Sequence, residues 1–278
     1  FPSGDYLVDV LRQAMDLLTP GGRIYVGDVR NLKLLRCFAT AIAAYQPSDD
    51  AAAADESLQW RINQNIHLET ELLLDPDFFA GLKEDITDIA GVDIQLKRGW
   101  SHNELTRYRY EVVLHKQGTA TVSVGQSPLL AWGKDIGGLE DLKGQLLTKR
   151  PAQVRIGAVP NPRLSGELDT LRTVWSTNSP ELPATDLSTA TGNGVEPEAF
   201  HALGGACGYR VATTWSSMAA DGSCYDVVLI APETIDTQAP TDIYLAQGVA
   251  RSVAANKPSS MRYSKTLNQA LRAHLARQ

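Results

Sequence analysis

Hydrophobic positions recur at helical spacing at the start of the chain, at Leu7, Val10, Leu11, Ala14 and Leu18. Ser3 is placed to cap this helix, and residues 19–22, Thr-Pro-Gly-Gly, end it. Residues 23–27 then form a short run of β-formers that leads to Asp28. A helix, a glycine-rich turn, a strand and an acidic residue in this order predict an αβ unit of a mostly parallel sheet.

The rest of the pattern predicts further helices and strands in alternation. Helices are expected over residues 32–45, 57–67, from a turn near 76 to about 89, 139–147, 164–175, 200–206 and 266–276. Strands are expected over residues 93–97, 109–115, 154–159, 209–216 and 224–231. Gly204 and Gly205 are assigned to a turn that needs positive φ. Residues 46–56 and 178–194 predict loops, and residues 233–258 lack periodicity and resemble a linker.

A faint internal echo accompanies these elements. Residues 110–114, Tyr-Glu-Val-Val-Leu, are mirrored by residues 225–229, Tyr-Asp-Val-Val-Leu, and each run follows a helix, a strand and a loop. One interpretation is a structural repeat. The other is that two buried strands share the same β-forming residues.

Composition narrows the class of protein. With 278 residues and a net charge of −6, the chain can form one large domain or two medium ones, and its acidity argues against a broad grip on nucleic acid. No apolar run approaches the ~18 residues of a membrane span, so no membrane association is expected. Cys37, Cys207 and Cys224 are too few and too scattered for a disulfide framework. Reduced thiols and the lack of a targeting segment favour the cytoplasm.

Common catalytic and binding motifs do not occur. No GxGxxG follows a strand, and neither a GxxxxGK[ST] loop nor a GxSxG elbow is found. The five histidines show no HxxxH spacing, and no CxxC pair exists, so no metal site is expected.

The densest polar run covers residues 97–110, Lys-Arg-Gly-Trp-Ser-His-Asn-Glu-Leu-Thr-Arg-Tyr-Arg-Tyr. Ligands of open α/β sheets sit beyond the carboxyl ends of parallel strands. If the strand at 93–97 runs parallel to the strand at 23–27, this polar run shares a rim with Asp28 and Arg30. The alternatives are a solvated hairpin with ordinary surface charges and, for Asp28, an N-cap of the helix that begins near residue 32.

Three stretches of the chain resemble the methyltransferase domains embedded in nonribosomal peptide synthetases. They are Phe-Pro-Ser at residues 1–3, Leu-Thr-Pro-Gly-Gly-Arg-Ile-Tyr-Val-Gly-Asp-Val-Arg at residues 18–30, and the polar run at residues 97–110. The strong match covers residues 1 to about 116. The resemblance implies an α/β fold, namely the C-terminal half of a class I (Rossmann-like) methyltransferase sheet plus a smaller α+β subdomain. It divides the chain into residues 1–127 (methyltransferase core), 128–232 (accessory subdomain) and 233–278 (linker and start of the C-terminal lobe of an adenylation domain).

The same resemblance implies an activity. The segment would N-methylate an aminoacyl thioester that is tethered to a peptidyl carrier protein by phosphopantetheine, with S-adenosylmethionine as cofactor. Its partners would be that carrier protein, the adjacent adenylation domain and a small adenylation-activating helper protein. The chain opens at Phe1 without an initiator Met, after the strands that carry the cofactor loop in this family. We therefore expect that it does not bind the cofactor alone.

Site roles follow from the resemblance. Glu104 would orient the amine and take up its proton, with His102 as the alternative base. Asn103 would hold the substrate carbonyl or amine, and Tyr108 would line the acceptor pocket. The substrate-positioning residues would be Asp28, Arg30 and Tyr110.

Two competing functions remain open. The chain could be a non-catalytic half-domain that packs against neighbouring synthetase domains. A free-standing methyltransferase is disfavoured by the adenylation-like tail at residues 263–275.

Overall fold

The structure is a computed structural model that describes residues 1–45, 58–176, 194–219, 221–235 and 237–258. The predicted helix at 266–276 and almost all of the two predicted loops at 46–56 and 178–194 lie outside these residues.

The described residues form an α/β structure of short helices and three sheets. The helices are α1 (Gly4–Leu17), α2 (Leu35–Tyr45), α3 (Leu58–His67), α4 (Pro76–Ala80), α5 (Leu82–Asp85), α6 (Glu104–Tyr108), α7 (Leu139–Lys149), α8 (Ser165–Ser176), α9 (Pro197–Ala206) and α10 (Pro232–Ile235). The strands are β1 (Arg23–Asn31), β2 (Leu73–Leu74), β3 (Ile89–Leu96), β4 (Arg109–Lys116), β5 (Thr121–Ser123), β6 (Leu129–Ala131), β7 (Gln153–Pro160), β8 (Arg210–Trp215), β9 (Cys224–Ile230) and β10 (Ala239–Thr241).

The first sheet has the strand order β2-β1-β4-β3. β4 lies between β1 and β3 and runs antiparallel to both. β1 and β3 therefore point in the same direction, which is the condition stated for a shared rim, and their carboxyl ends meet at one rim. The expectation of a mostly parallel sheet is wrong, because β4 pairs antiparallel with both neighbours and only the short pairing of β1 with β2 is parallel. We call α1 to β4 the first unit.

A second sheet repeats this arrangement in the order β6-β7-β9-β8, with β9 antiparallel to both of its neighbours. We call β6 to β9 the second unit. Strand β9 occupies the place of β4, so Tyr225 pairs with Val159 as Tyr110 pairs with Val29. The structural repeat is confirmed, and the echo is more than a shared preference for β-formers.

The repeat extends to a backbone irregularity. β1 has a register shift between Val26 and Val29, where Asp28 has φ 57°. β7 has the same shift, with Ala158 at φ 58°. Such a bulge bends the strand and redirects the residues that follow.

The chain after each bulge is also alike. Asn31 accepts a hydrogen bond from the amide of Lys33, and Asn161 accepts one from the amide of Arg163. Each asparagine thereby caps a short 3-10 turn that leads into a helix. The Asp28 N-cap interpretation is wrong, because Asn31 takes that role.

The two units differ at one sheet edge. β6 covers β7 by pairing residues 129–131 with residues 155–157. The corresponding edge of β1 pairs with β2 only at Arg30 and Asn31. Within the described chain, no strand pairs with that edge over residues 23–29.

The core is continuous across both units, because one cluster contains buried apolar side chains from both main sheets. Ala212, Val228 and Ile230 of the second sheet belong to a separate, smaller cluster with Val124, Ile235 and Ile243. Tyr110 stands edge-on to Phe79 and Tyr225 edge-on to Phe200, with 6.1 Å between ring centroids in both pairs. Such aromatic pairs add to the burial that holds each helix on its sheet.

In the segment predicted as a linker, residues 237–258 are packed against the rest of the described chain. β10 pairs in parallel with β5, and Ile243 and Ala254 are fully buried. The Asp77 carboxylate accepts hydrogen bonds from Tyr244 Oη, the Gln247 amide and the Val249 amide. The segment lacks periodicity because these side-chain bonds, rather than a regular helix face, hold it. Whether a domain boundary falls near residue 233 stays a prediction.

Three smaller predictions need correction. The helix expected to reach residue 89 ends at Asp85, because β3 begins at Ile89. Gly204 and Gly205 lie inside α9, and the residue with positive φ in the following turn is Gly208, at 80°. The polar run is not a simple loop, since it contains α6.

Candidate functional site at the rim of the first sheet

A lysine joins the ends of three strands at the rim. Lys97 follows β3 directly, and its Nζ lies 2.6 Å from Asp28 Oδ1 and 2.9 Å from Glu111 Oε1. The hydrogen bond from Lys97 holds the pKa of Asp28 below its ordinary value. Burial acts to lower the pKa of Lys97, but the hydrogen bonds to the two carboxylates raise it overall. The rim is therefore an ordered set of charges.

Arg109 brings the predicted Asp28 and Glu104 together. Its guanidinium donates to the Asp28 carbonyl oxygen at 3.2 Å, and its Nε donates to Glu104 Oε1 at 3.2 Å. The side chain of Glu104 is 47% exposed and that of Asp28 is 54% exposed. Both carboxylates are thus held in place by cations and remain open to a ligand.

Asn103 and Glu104 are placed by the start of α6. Asn103 Oδ1 accepts hydrogen bonds from the amides of Leu105 and Thr106, at 3.0 and 3.1 Å. Thr106 Oγ1 in turn accepts one from the Asn103 amide, which completes a capping box. The capping box fixes where Glu104 leaves the backbone.

Other predicted residues face different surroundings. His102 Nε2 lies 2.5 Å from Glu196 Oε1. The Tyr108 hydroxyl donates to Glu167, and burial raises its pKa. Both glutamates belong to the second unit.

Tyr110 lies away from the rim charges, whereas Arg30 is linked to them by Glu71, whose Oε2 lies 3.3 Å from Arg30 Nη1 and 3.8 Å from Arg109 Nη2. The Tyr110 hydroxyl is fully buried and donates to the Leu74 carbonyl oxygen at 2.9 Å. The Arg30 guanidinium lies 2.8 Å from Glu69 and 4.3 Å from the Phe38 ring centroid. The catalytic and positioning roles assigned from sequence stay predictions.

Sequence reasoning passed over Lys97, Glu111 and Arg109 as members of the site. The alternation of β4 points Glu111 to the same face as Arg109, which was a usable signal. The position of Lys97 beside Asp28 depends on the bulge in β1, and no motif marks a bulge at an aspartate.

A cavity of about 400 Å³ opens between the facing strands β3 and β8. Gln95, Arg98, His201 and Arg210 supply its polar lining. Burial, together with the charge of Arg98, lowers the pKa of His201 to about 4. Asp93, which accepts from Gln95, has its pKa raised to about 6 by burial.

No helix in the described ranges is long and apolar enough to cross a membrane. In the same part of the chain, no three His, Cys, Asp or Glu side chains are grouped so that they could hold a metal ion. Cys37, Cys207 and Cys224 are free thiols.

Comparison with known proteins shows which proteins this chain is similar to. No protein-family model matches the chain. It is 38% identical over 263 residues to CymA, a probable nonribosomal peptide synthetase of Salinispora arenicola, and 32% identical over 299 residues to the chondramide synthase of Chondromyces crocatus. These alignments cover 94% and 99% of this chain but only 3% and 7% of the relatives. Cyclosporin synthetase of Tolypocladium inflatum is 38% identical over 117 residues, which is 41% of this chain and 1% of that protein. The chain is therefore a homologue of segments of nonribosomal peptide synthetases.

Proposed function

We propose that this chain is the acceptor-binding half of an S-adenosylmethionine-dependent N-methyltransferase within a nonribosomal peptide synthetase. Its substrate would be an aminoacyl thioester on a peptidyl carrier protein, delivered beside an adenylation domain. The observation that carries the proposal is that Arg109 binds both the Asp28 carbonyl oxygen and the Glu104 carboxylate at the rim where β1 and β3 end, in a chain whose homologues are nonribosomal peptide synthetases.

The chemistry asked of these residues is modest. An α-amino group has a pKa of about 8, so only a limited shift toward the free amine is required near neutral pH. Glu104 would accept a hydrogen bond from the amine and would take up the proton that the amine loses on methylation. The side-chain nitrogen Nδ2 of Asn103 donates to the substrate carbonyl oxygen, since Oδ1 is used by the capping box. His102 is the alternative base.

Holding the amine close to the methyl donor supplies the larger part of the rate enhancement. A nitrogen held at near-attack distance reacts as if at a very high effective concentration. The ion pairs of Asp28 with Lys97 and of Glu104 with Arg109 fix both carboxylates before the substrate arrives. The rim therefore needs little reorganisation when it binds an amine.

S-adenosylmethionine would need binding residues in addition to those at the rim. In Rossmann-like sheets a free carboxylate binds the ribose of the ligand. At the rim Asp28 and Glu111 are paired with Lys97, and Glu104 is paired with Arg109. These residues do not by themselves fit S-adenosylmethionine, which when bound supplies the electrophilic methyl group.

The edge of β1 that no described strand covers supports a place for cofactor-binding residues. In the second unit, β6 pairs in parallel with β7 at residues 155–157. The equivalent residues 25–27 of β1 have no such partner in the described chain. A further parallel strand on this edge would bring cofactor-binding residues to the same rim.

The test is transfer of a radiolabelled methyl group from S-adenosylmethionine to the aminoacyl carrier protein, with the full protein that carries this chain. Glu104→Gln keeps a hydrogen-bond acceptor but cannot take up the proton, so we expect kcat to fall about 100-fold. Glu140→Gln, on the exposed face of α7, is the matched control. A Glu104→Gln variant that methylates at the wild-type rate would remove Glu104 from the mechanism.

The scaffold alternative also has an observation in its favour. Asn103 Oδ1, the Tyr108 hydroxyl and the Tyr110 hydroxyl are all used in contacts within the chain. If the full protein transfers no methyl group to any carrier-bound amino acid, this packing role is the better account.

A further inference from the structure

The second unit reaches into the polar run through one buried arginine. Arg163 is 1% exposed. Its guanidinium donates to the carbonyl oxygens of Lys97 (3.0 Å), Gly99 (2.6 Å) and Thr106 (3.2 Å). Its Nε donates to Glu196 Oε2 at 3.1 Å. One planar fork thus fixes the backbone on both sides of the segment that carries His102, Asn103 and Glu104.

Three glutamates of the second unit hold the side chains of the same run: Glu196 pairs with His102, Glu198 with Arg98, and Glu167 with Arg107 and Tyr108. The Glu198 contact is bidentate, at 2.5 and 2.7 Å, and its Oε1 also accepts from the Gly99 amide at 2.8 Å. The hydrogen bond from Arg98 lowers the pKa of Glu198 to about 2.

The corresponding cation of the first unit is a lysine, and its partners lie in the segment after β10. Lys33 occupies the place of Arg163 after the equivalent bulge, and it binds Gln247 Oε1 at 2.8 Å and the Tyr244 hydroxyl at 3.3 Å. Arginine and lysine are not interchangeable here, because only the guanidinium can donate to several carbonyl oxygens in fixed directions.

The rim of the second unit lacks most of the charged residues found at the rim of the first unit. By register, the positions of Asp28, Lys97, Glu111 and Arg109 are taken by Ala158, Ser216, Asp226 and Cys224. Asp226 is 2% exposed and is held by Arg155 and by the Ala158 amide. The carboxylate at the position of Glu111 is therefore buried and held within the second unit.

We infer that the second unit is a non-catalytic copy of the first, and that its Arg163 is a positioning residue that sets the geometry of the His102–Glu104 segment. The inference rests on the proposed function for its effect on the rate. Its structural part is independent of that function, because the contacts of Arg163 define a local stability that can be measured directly.

The test uses Arg163→Lys and Glu198→Gln in the full protein that carries this chain. Lysine keeps the charge but loses the fork, so amide hydrogen exchange over residues 97–106 should become about 10-fold faster, while exchange in β9 is unchanged. If the protein methylates, kcat should fall about 10-fold with little change in KM, because a small displacement near the reacting atoms costs rate. Arg150→Lys, an exposed arginine of the second unit, is the matched control.

The outcomes separate this inference from the proposed function. Faster exchange over 97–106 in a protein that never methylates supports the positioning role and rejects the methyltransferase. Unchanged exchange in both variants, or an unchanged kcat in an active enzyme, overturns the positioning role. If Arg163→Lys fails to fold, Glu198→Gln decides by the same two measurements.

Discussion

The ammonium group of Lys97 lies 2.6 Å from Asp28 Oδ1, although 69 residues separate the two in the chain. The contact exists because β1 and β3 end at the same rim and because the bulge at Asp28 turns its side chain toward that rim. Glu111 completes the set from β4, at 2.9 Å from the same nitrogen.

Replacing this lysine should cost stability in a pH-dependent way. In Lys97→Met, the free energy of unfolding at pH 7 should fall by about 1 kcal/mol, since the carboxylates lose their cation. The folded-state pKa of Asp28 is lowered, so the stabilisation is present above its ordinary pKa and is lost as pH falls through the folded value. Urea unfolding at pH 7 and pH 3 measures the difference, with Lys143→Met on α7 as control. Equal losses at both pH values would contradict the ion-pair account.

Two buried groups beside the β3–β8 cavity should give opposite pH slopes between pH 4 and 6. Asp93 has a raised pKa of about 6, so the folded state keeps a proton that the unfolded state releases, and stability falls as pH rises. His201 has a lowered pKa of about 4, so the unfolded state binds the extra proton, and stability rises with pH. Each effect is at most ~3 kcal/mol.

Single substitutions should show how Asp93 and His201 each affect the change of unfolding free energy with pH. Asp93→Asn should make the change of unfolding free energy with pH more positive between pH 4 and 6, and His201→Gln should make it more negative. Urea titrations at several pH values give the slopes, with Asp16→Asn and His67→Gln as exposed controls. A shift of the same sign in both variants would show that burial does not set these pKa values.

The Tyr110 hydroxyl should matter for stability and not for substrate binding. Tyr110→Phe leaves a buried carbonyl oxygen at Leu74 without this donor, at a cost of about 1 kcal/mol in unfolding free energy. Tyr6→Phe, at an exposed position, is the control. A raised KM for the aminoacyl substrate with unchanged stability would instead support the substrate-positioning role predicted from sequence.

Asp77 should anchor the segment that follows β10. Asp77→Ala removes the acceptor for the Tyr244 hydroxyl and for the amides of Gln247 and Val249, so unfolding free energy should fall by at least ~2 kcal/mol. Limited proteolysis should then cut within residues 241–256 sooner than in wild type. Asp16→Ala on α1 is the control, and an unchanged cleavage pattern would rule out the anchoring role.

Local patterns were enough for many of the longer elements, but not for the short strands β2, β5, β6 and β10 or for α6. The helical spacing over residues 7–18 and the cap at Ser3 correspond to α1, where Ser3 accepts from the Tyr6 amide. The shared rim was expected only on the condition that β1 and β3 run in the same direction, and the pairing of both strands with β4 establishes that direction. The repeat was visible in the likeness of residues 110–114 and 225–229.

Side-chain contacts between residues far apart in the chain could not be predicted from the sequence. Residues 233–258 lack periodicity because Asp77, far away in the chain, provides their hydrogen bonds. The grip of Arg163 on Gly99 depends on how two units pack, and nothing near either residue indicates the other. The bulge at Asp28 was also hidden, since a positive φ is normally the place of glycine.

The contacts of Arg163 and of the three glutamates have a practical consequence for anyone who would graft this region into another assembly line. A cassette cut between β4 and β6 would separate the guanidinium from its three carbonyl oxygens and would leave Arg98, His102 and Arg107 without their acidic counterparts. Transfers that keep the first and second units together preserve the contacts that hold residues 97–110. Transfers that separate the two units remove those contacts.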